Sequence, residues 1–163
     1  DTPAEAEPYR IHPTGKNNYT EMTNTTGIVL KDHPYAHRYH PYDYLNVLAM
    51  RMAAGVASVV VSRAGSTIFE IAAWGIPSIL IPLSPEISHD QTANAYSYGK
   101  TGAASVIEET NLHGHILITE IDRICGSNSI RETMSSRAKA FSRTDSAKII
   151  ASALLDIALE HEK

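Results

Sequence analysis

Three short apolar runs rich in β-branched residues, Val59-Val-Val61, Ser78-Ile-Leu-Ile-Pro82 and Ala104-Ser-Val-Ile107, constrain this chain more than any other feature. Each is too short and too apolar for a half-exposed strand, so each reads as a buried strand of a parallel sheet. Each is followed by turn residues and then by apolar residues three or four apart, the helical period. After the first run, Ser66 or Thr67 can cap a helix, Ile68, Ile71 and Ala72 supply its apolar face, and Gly75 before Pro77 ends it. A Pro- and Ser-containing loop after the second run leads into a helix from about His89 to Lys100. Further helical stretches are expected near 112–124, 129–141 and 146–160. This alternation predicts an α/β fold, a doubly wound parallel sheet with helices on both faces.

The first third is less regular. Tyr9 to His12 reads as a short strand closed by Pro13-Thr-Gly15, the polar stretch 16–26 as a loop or a short polar helix, and Gly27-Ile-Val-Leu30 as a second brief apolar run. Between Tyr44 and Ala57, Leu45, Leu48, Ala49, Met52 and Ala53 recur at helical spacing and predict a helix with one buried stripe. His33, His37 and His40 would share a helical face, but Pro34 and Pro41 argue against that helix, and no metal is expected.

Composition bounds the function. A length of 163 residues with 43% hydrophobic and 20% charged content suits one domain, expected over 9–163, with residues 1–8 a disordered or linker remnant. A formal charge of −4 gives no electrostatic reason to bind nucleic acid. One cysteine, Cys125, cannot form an internal disulfide and fits a reducing cytosol. No run approaches the roughly 20 apolar residues of a membrane span, and the acidic N-terminus lacks the blocks of a signal peptide. The chain opens without Met and reads as a piece of a longer protein.

In an open α/β sheet, ligands bind where strand ends lead into helix starts. The turn Arg63-Ala-Gly65 into Ser66 and Thr67 is such a place: free N–H groups at the helix start suit a diphosphate, Gly65 permits close backbone approach, and Glu70, about one turn in, suits a ribose diol. Thr67 and Glu70 also have capping-box spacing, which needs no ligand. At the next helix start, Asp90, Gln91 and Asn94 offer the mixed donors and acceptors that sugar hydroxyls require. Asp90 or Ser88 is equally a plausible N-cap. Gly15-Lys16 lacks the rest of a P-loop, and no Gly-x-Ser-x-Gly elbow of a serine hydrolase is present.

Taken together, these segments resemble the C-terminal half of the MurG family. The likeness runs through Val60-Val-Ser-Arg-Ala-Gly-Ser with Ile68-Phe-Glu-Ile-Ala, Gly75-Ile-Pro-Ser-Ile-Leu-Ile-Pro82, Gln91-Thr-Ala-Asn-Ala95 and Gly102-Ala-Ala104, with His12-Pro-Thr-Gly15 and Asp145-Ser-Ala-Lys-Ile-Ile150 outside them. The resemblance implies the Rossmann-like C-terminal domain of a GT-B glycosyltransferase. It also implies transfer of GlcNAc from UDP-GlcNAc to a lipid-linked muramoyl-pentapeptide in peptidoglycan synthesis.

By position, Glu70 resembles the family's ribose-binding glutamate, Ser66 and Thr67 lie in its phosphate turn beside Gly65, and Gln91 matches its GlcNAc-reading glutamine, with Asp90 and Asn94 as companions. The uracil contact falls within Pro41 to Leu45. Arg63 is assigned to shaping the turn. The turn from Arg63 to Glu70 is one residue shorter than the family pattern, which favours Glu70 over Ser66 as a contact. The family's Gly-Gly-Ser loop and its N-terminal acceptor domain, with the catalytic base, do not occur in these residues. The chain is therefore expected to supply the donor half alone, to be nearly inactive by itself, and to need no cofactor. A cytoplasmic place at the inner face of the membrane, with peripheral contact, is implied. A donor-binding subunit of another two-part GlcNAc transferase and a non-catalytic interaction domain of the same fold are the alternatives.

Overall fold

Local propensity and turn chemistry set the elements, and contacts divide the chain into two units, residues 1–56 and 57–163. The computed structural model describes residues 8–160. The expectation of disorder over 1–8 therefore lies, Pro8 excepted, outside the described residues.

The first unit contains β1 (Arg10–Pro13), α1 (Tyr19–Val29), a 3-10 turn at Ala36–Arg38, β2 (Tyr39–Tyr42) and α2 (Val47–Val56). β1 falls where the sequence placed it. It pairs in parallel with β2, with His12 opposite Pro41. Pro41 has no N–H to give, yet both strands of a two-stranded sheet are edges, where proline is tolerated. Thr14 closes this unit: its N–H and its hydroxyl both donate to the Tyr42 carbonyl, at 2.8 and 3.0 Å. The run Gly27 to Leu30 is the end of α1 rather than a separate element, and Ile28 and Val29 stand exposed. α2 forms as expected, but its stripe is not buried: Leu48 and Met52 are each 67% exposed. Ala49 and Ala53 are only half-buried.

The second unit carries the predicted alternation. β3 (Val60–Ser62), β4 (Ser78–Leu80) and β5 (Ala104–Val106) form a parallel sheet in that order. Between and after them run α3 (Thr67–Trp74), α4 (His89–Gly99), α5 (Gly114–Cys125), α6 (Asn128–Phe141) and α7 (Ser146–Glu160).

Period-two alternation in β4 sends Leu80 to one face and Ile79 to the other, and Ile81 just beyond the strand follows Ile79. Leu80 packs with Ile68 and Ala72 of α3 and with Ala95 and Tyr98 of α4. Ile79 and Ile81 pack with Ile107, Ile124 and Met134, flanked by Leu117 and Ile121 of α5. Helices thus cover both faces. Each fully buried Leu or Ile contributes about 1.5–3 kcal/mol, so β4, buried throughout, anchors the unit. One outer strand differs from expectation. β3 reads as a doubly covered strand but lies at the edge of this sheet among the described residues, with Val61 41% exposed.

α6 serves both layers, placing Met134 in one cluster and Ala138 in the other. Its start is fixed by Ser127, whose hydroxyl accepts from the Ile130 N–H at 3.3 Å. α3 ends as predicted at Gly75, which takes the left-handed conformation at φ 68° while Ile76 N–H reaches back to the Ile71 carbonyl at 3.3 Å. α7 exposes Ile149, Ile150, Leu154, Leu155, Ile157 and Leu159.

Candidate functional site

Three chain reversals meet at the C-terminal ends of the strands in the second unit. The ladder continues past the strands, with Ile81 N–H on the Ser62 carbonyl and Ile107 N–H on the Leu80 carbonyl, each at 2.9 Å. Arg63, immediately after β3, ties all three reversals together. It donates to the Ile81 carbonyl at 3.2 Å and pairs with Glu109, beyond β5, at 2.7 Å. Arg63 therefore shapes the turn, as the sequence suggested. Glu109 was not foreseen, since 46 residues separate the partners and no local pattern joins them.

The start of α3 is open. Ser66 is its N-cap residue, in helical conformation and without a side-chain cap bond. Ile68 and Phe69 N–H groups are taken by the Gly65 and Ser66 carbonyls at 3.2 and 3.0 Å. The N–H groups of Ser66 and Thr67, orphaned as helix starts require, find no acceptor among the described residues. The capping-box alternative is not formed: Thr67 is the first helical residue, and neither its hydroxyl nor the Glu70 carboxylate makes a hydrogen bond among the described residues. Ser66, Thr67 and Glu70 are all exposed.

Gly65 stands out by what surrounds it. Its φ is not positive, and a Cβ there would meet only Gln91 Nε2, at 4.0 Å. Neither backbone conformation nor internal packing demands glycine at this position. What it does is leave the approach to the α3 start free.

The start of α4 is built differently. Gln91 Oε1 accepts from the Leu83 N–H at 3.1 Å, which fixes the amide and leaves its Nε2 facing the Gly65 side. Asn94 Nδ2 donates to the Ala64 carbonyl at 3.4 Å, holding the turn before Gly65 and leaving its carbonyl oxygen unspent. Asp90 is exposed in the first turn of α4, with no hydrogen bond among the described residues. Ser88, the N-cap, makes no side-chain cap bond, so the capping alternative for this helix is not realised by Ser88. The structure thus brings Gly65, Gln91 and Asn94 together around the 63–66 turn and sets Ser66, Thr67, Glu70 and Asp90 on the two adjoining helix starts. Pro41 to Leu45 belongs to the first unit, at the C-terminal end of β2.

Chemically, the arrangement has groups that can receive an anion bearing hydroxyls. Orphan N–H groups and the positive end of α3 favour a negatively charged group. An exposed carboxylate accepts from a diol, and half-anchored amides supply donors and acceptors in fixed orientation.

Residues 3–150 match the model of the glycosyltransferase family 28 C-terminal domain. The chain belongs to this family. A curated relative from Lactiplantibacillus plantarum, a UDP-N-acetylglucosamine–N-acetylmuramyl-(pentapeptide) pyrophosphoryl-undecaprenol N-acetylglucosamine transferase, is 46% identical over 55% of this chain. A relative of the same name from Limosilactobacillus fermentum is 30% identical over 96% of it. The chain spans 25% and 42% of the lengths of these two relatives. The crystal structure of MurG from Acinetobacter baumannii matches 90% of this chain and 40% of its own, with TM-score 0.73 and 18% identity, a likeness in fold. The family 28 C-terminal domain is therefore the frame in which the α3 and α4 starts lie.

Proposed function

We propose that this family 28 domain binds UDP-GlcNAc and supplies the donor half of a GlcNAc transferase acting on a lipid-linked muramoyl-pentapeptide in peptidoglycan synthesis. The observation that carries the reading is Gly65: the missing side chain keeps clear a turn flanked by the orphan N–H groups of α3 and the anchored amide of Gln91. In this reading the N–H groups and hydroxyls of Ser66 and Thr67 receive the diphosphate. Glu70 accepts from the ribose hydroxyls, Gln91 and Asn94 read the GlcNAc hydroxyls, and Asp90 is an outer contact.

Rate enhancement then comes from positioning and from stabilising the departing UDP by preorganised donors, without a metal or cofactor in the scheme. The base and the acceptor site belong to an N-terminal half, so this chain alone is nearly inactive. The work takes place in the cytoplasm, against the inner face of the membrane, by peripheral contact.

Thermal unfolding with UDP, UDP-GlcNAc and UDP-glucose tests the reading. UDP-GlcNAc at 100 times its Kd should add about 2.7 kcal/mol of stability, UDP less, and UDP-glucose less than UDP-GlcNAc. Mixing the chain with the N-terminal half of a family member should restore transfer to a lipid-linked acceptor. The absence of any shift with UDP or UDP-GlcNAc would overturn the proposal in favour of an interaction domain of the same fold. Shifts accompanied by transfer only with a different, separately encoded acceptor subunit would replace the acceptor assignment.

A further inference from the structure

At the opposite end of the sheet from the donor-side turns, a cavity of about 340 Å³ opens beside the beginning of β5. Its floor is apolar, from Ile130 and Met134, and its walls carry Ser105, Arg123, Ser129, Thr133 and Arg137. Ser129, Thr133 and Arg137 recur every four residues along one face of α6, so their polar groups form a row.

The two arginines differ. Arg123 grips Glu120 with two nitrogens, at 2.8 and 2.6 Å, and reaches Ser105 at 3.2 Å. Those bonds hold the Glu120 carboxyl below its ordinary range against the opposing effect of burial, so Glu120 balances Arg123. Arg137 makes no hydrogen bond or ion pair among the described residues. Its guanidinium lies against Gly102, in the space a Cβ would occupy, and Gly102 has φ +77°. A guanidinium carries five donors in a planar fork matched to oxyanions. Here the fork lies against the backbone at Gly102 with no hydrogen bond among the described residues, and Arg137, Ser129 and Thr133, all exposed, line the same open cavity.

We propose that this cavity binds a phosphate-sized oxyanion, with Arg137 as the anchor and Ser129 and Thr133 as hydroxyl donors. A cavity of this size also admits a small organic group attached to that anion.

The test follows amide shifts of the isotope-labelled chain during titration with inorganic phosphate. Saturable shifts at Gly102, Ser129, Thr133 and Arg137 are expected. Arg137→Met, which keeps the stem over Gly102, should weaken them at least about tenfold, and Arg137→Lys should fall between. UDP-GlcNAc binding should be unchanged in Arg137→Met. Flotation with phosphatidic acid vesicles but not phosphatidylcholine vesicles, lost in Arg137→Met, would identify the anion as a lipid headgroup. Phosphate shifts without flotation would identify it as soluble. No saturable shift at these residues, or equal shifts in the parent chain and Arg137→Met, would overturn the proposal.

Discussion

The two helix starts beside the 63–66 turn use their polar side chains in opposite ways. At α3, the side chains of Ser66, Thr67 and Glu70 have no hydrogen-bond partner among the described residues and stand exposed. At α4, Gln91 and Asn94 each spend one end of an amide on the protein, on the Leu83 N–H and the Ala64 carbonyl. The contrast separates two kinds of site residue. Unspent groups on α3 can be removed with little effect on folding, whereas the amides of α4 hold the loops that shape the site, so their loss is felt by both the fold and the ligand.

Adding volume at Gly65 should sharpen that contrast most. Gly65→Ala places a methyl group where only Gln91 Nε2 is near. Folding should change by no more than about 1 kcal/mol, while UDP-GlcNAc affinity falls by about 1–3 kcal/mol, roughly five- to 150-fold. Calorimetry alongside thermal unfolding checks both halves. Equal affinity in the variant would show that no ligand approaches this turn.

Gln91 probes the other side. Gln91→Ala leaves the Leu83 N–H without its acceptor, so chemical denaturation should show a loss of about 1–2 kcal/mol together with weaker donor binding. Gln91→Glu keeps the acceptor and removes the donors. It should recover the stability and not the binding. Recovery of both would reduce Gln91 to a loop anchor.

A polar group without a partner means something else in the core. The Tyr98 hydroxyl is buried and unpartnered, and burial pushes its phenol from near 10 up to about 12. Tyr98→Phe should therefore stabilise the fold by up to about 1 kcal/mol. The folded phenol titrates above the unfolded one, so its ionisation costs folding nothing below about pH 10, and stability is lost as the pH rises from there toward 12. Urea denaturation from pH 9 to 11.5 should show that alkaline loss in the parent chain and its attenuation in Tyr98→Phe.

The smallest effect belongs to Arg63 and Glu109. Their side chains are 46% and 38% exposed, so Glu109→Gln should cost no more than about 1 kcal/mol. That cost should shrink in 0.5 M salt. A larger, salt-independent loss would mean that the ion pair contributes more to joining the three reversals than its exposure allows.

The sequence disclosed much of this because its local signals agreed in the second unit. Ser66 and Gly75 bound α3 where the residue types place its ends, although Ser66 makes no side-chain cap bond, and β4 lies where an unbroken apolar run demands burial on both faces. It misled where a signal depends on what lies beside an element. The run before Ser62 looks like β4 in composition, yet β3 sits at the edge of its sheet. Pro41 argues against a continuous helix, and none forms there, but residue type does not reveal that β2 forms around it, where in a two-stranded sheet its missing N–H costs little. The stripe of α2 has helical spacing, but spacing does not reveal whether anything covers Leu48 and Met52. For the site, residue types pointed to Gly65, Glu70, Gln91 and Asn94. The anchoring of the amides on Leu83 and Ala64 is tertiary and left no mark in the sequence.

The central claim is that the exposed, unpartnered carboxylate of Glu70 is held for a ligand. Titration calorimetry of UDP-GlcNAc into the parent chain and Glu70→Ala tests it directly. The account predicts at least about tenfold weaker binding with folding stability unchanged to within about 0.5 kcal/mol. Equal affinity in the two proteins would contradict it and remove Glu70 from the site.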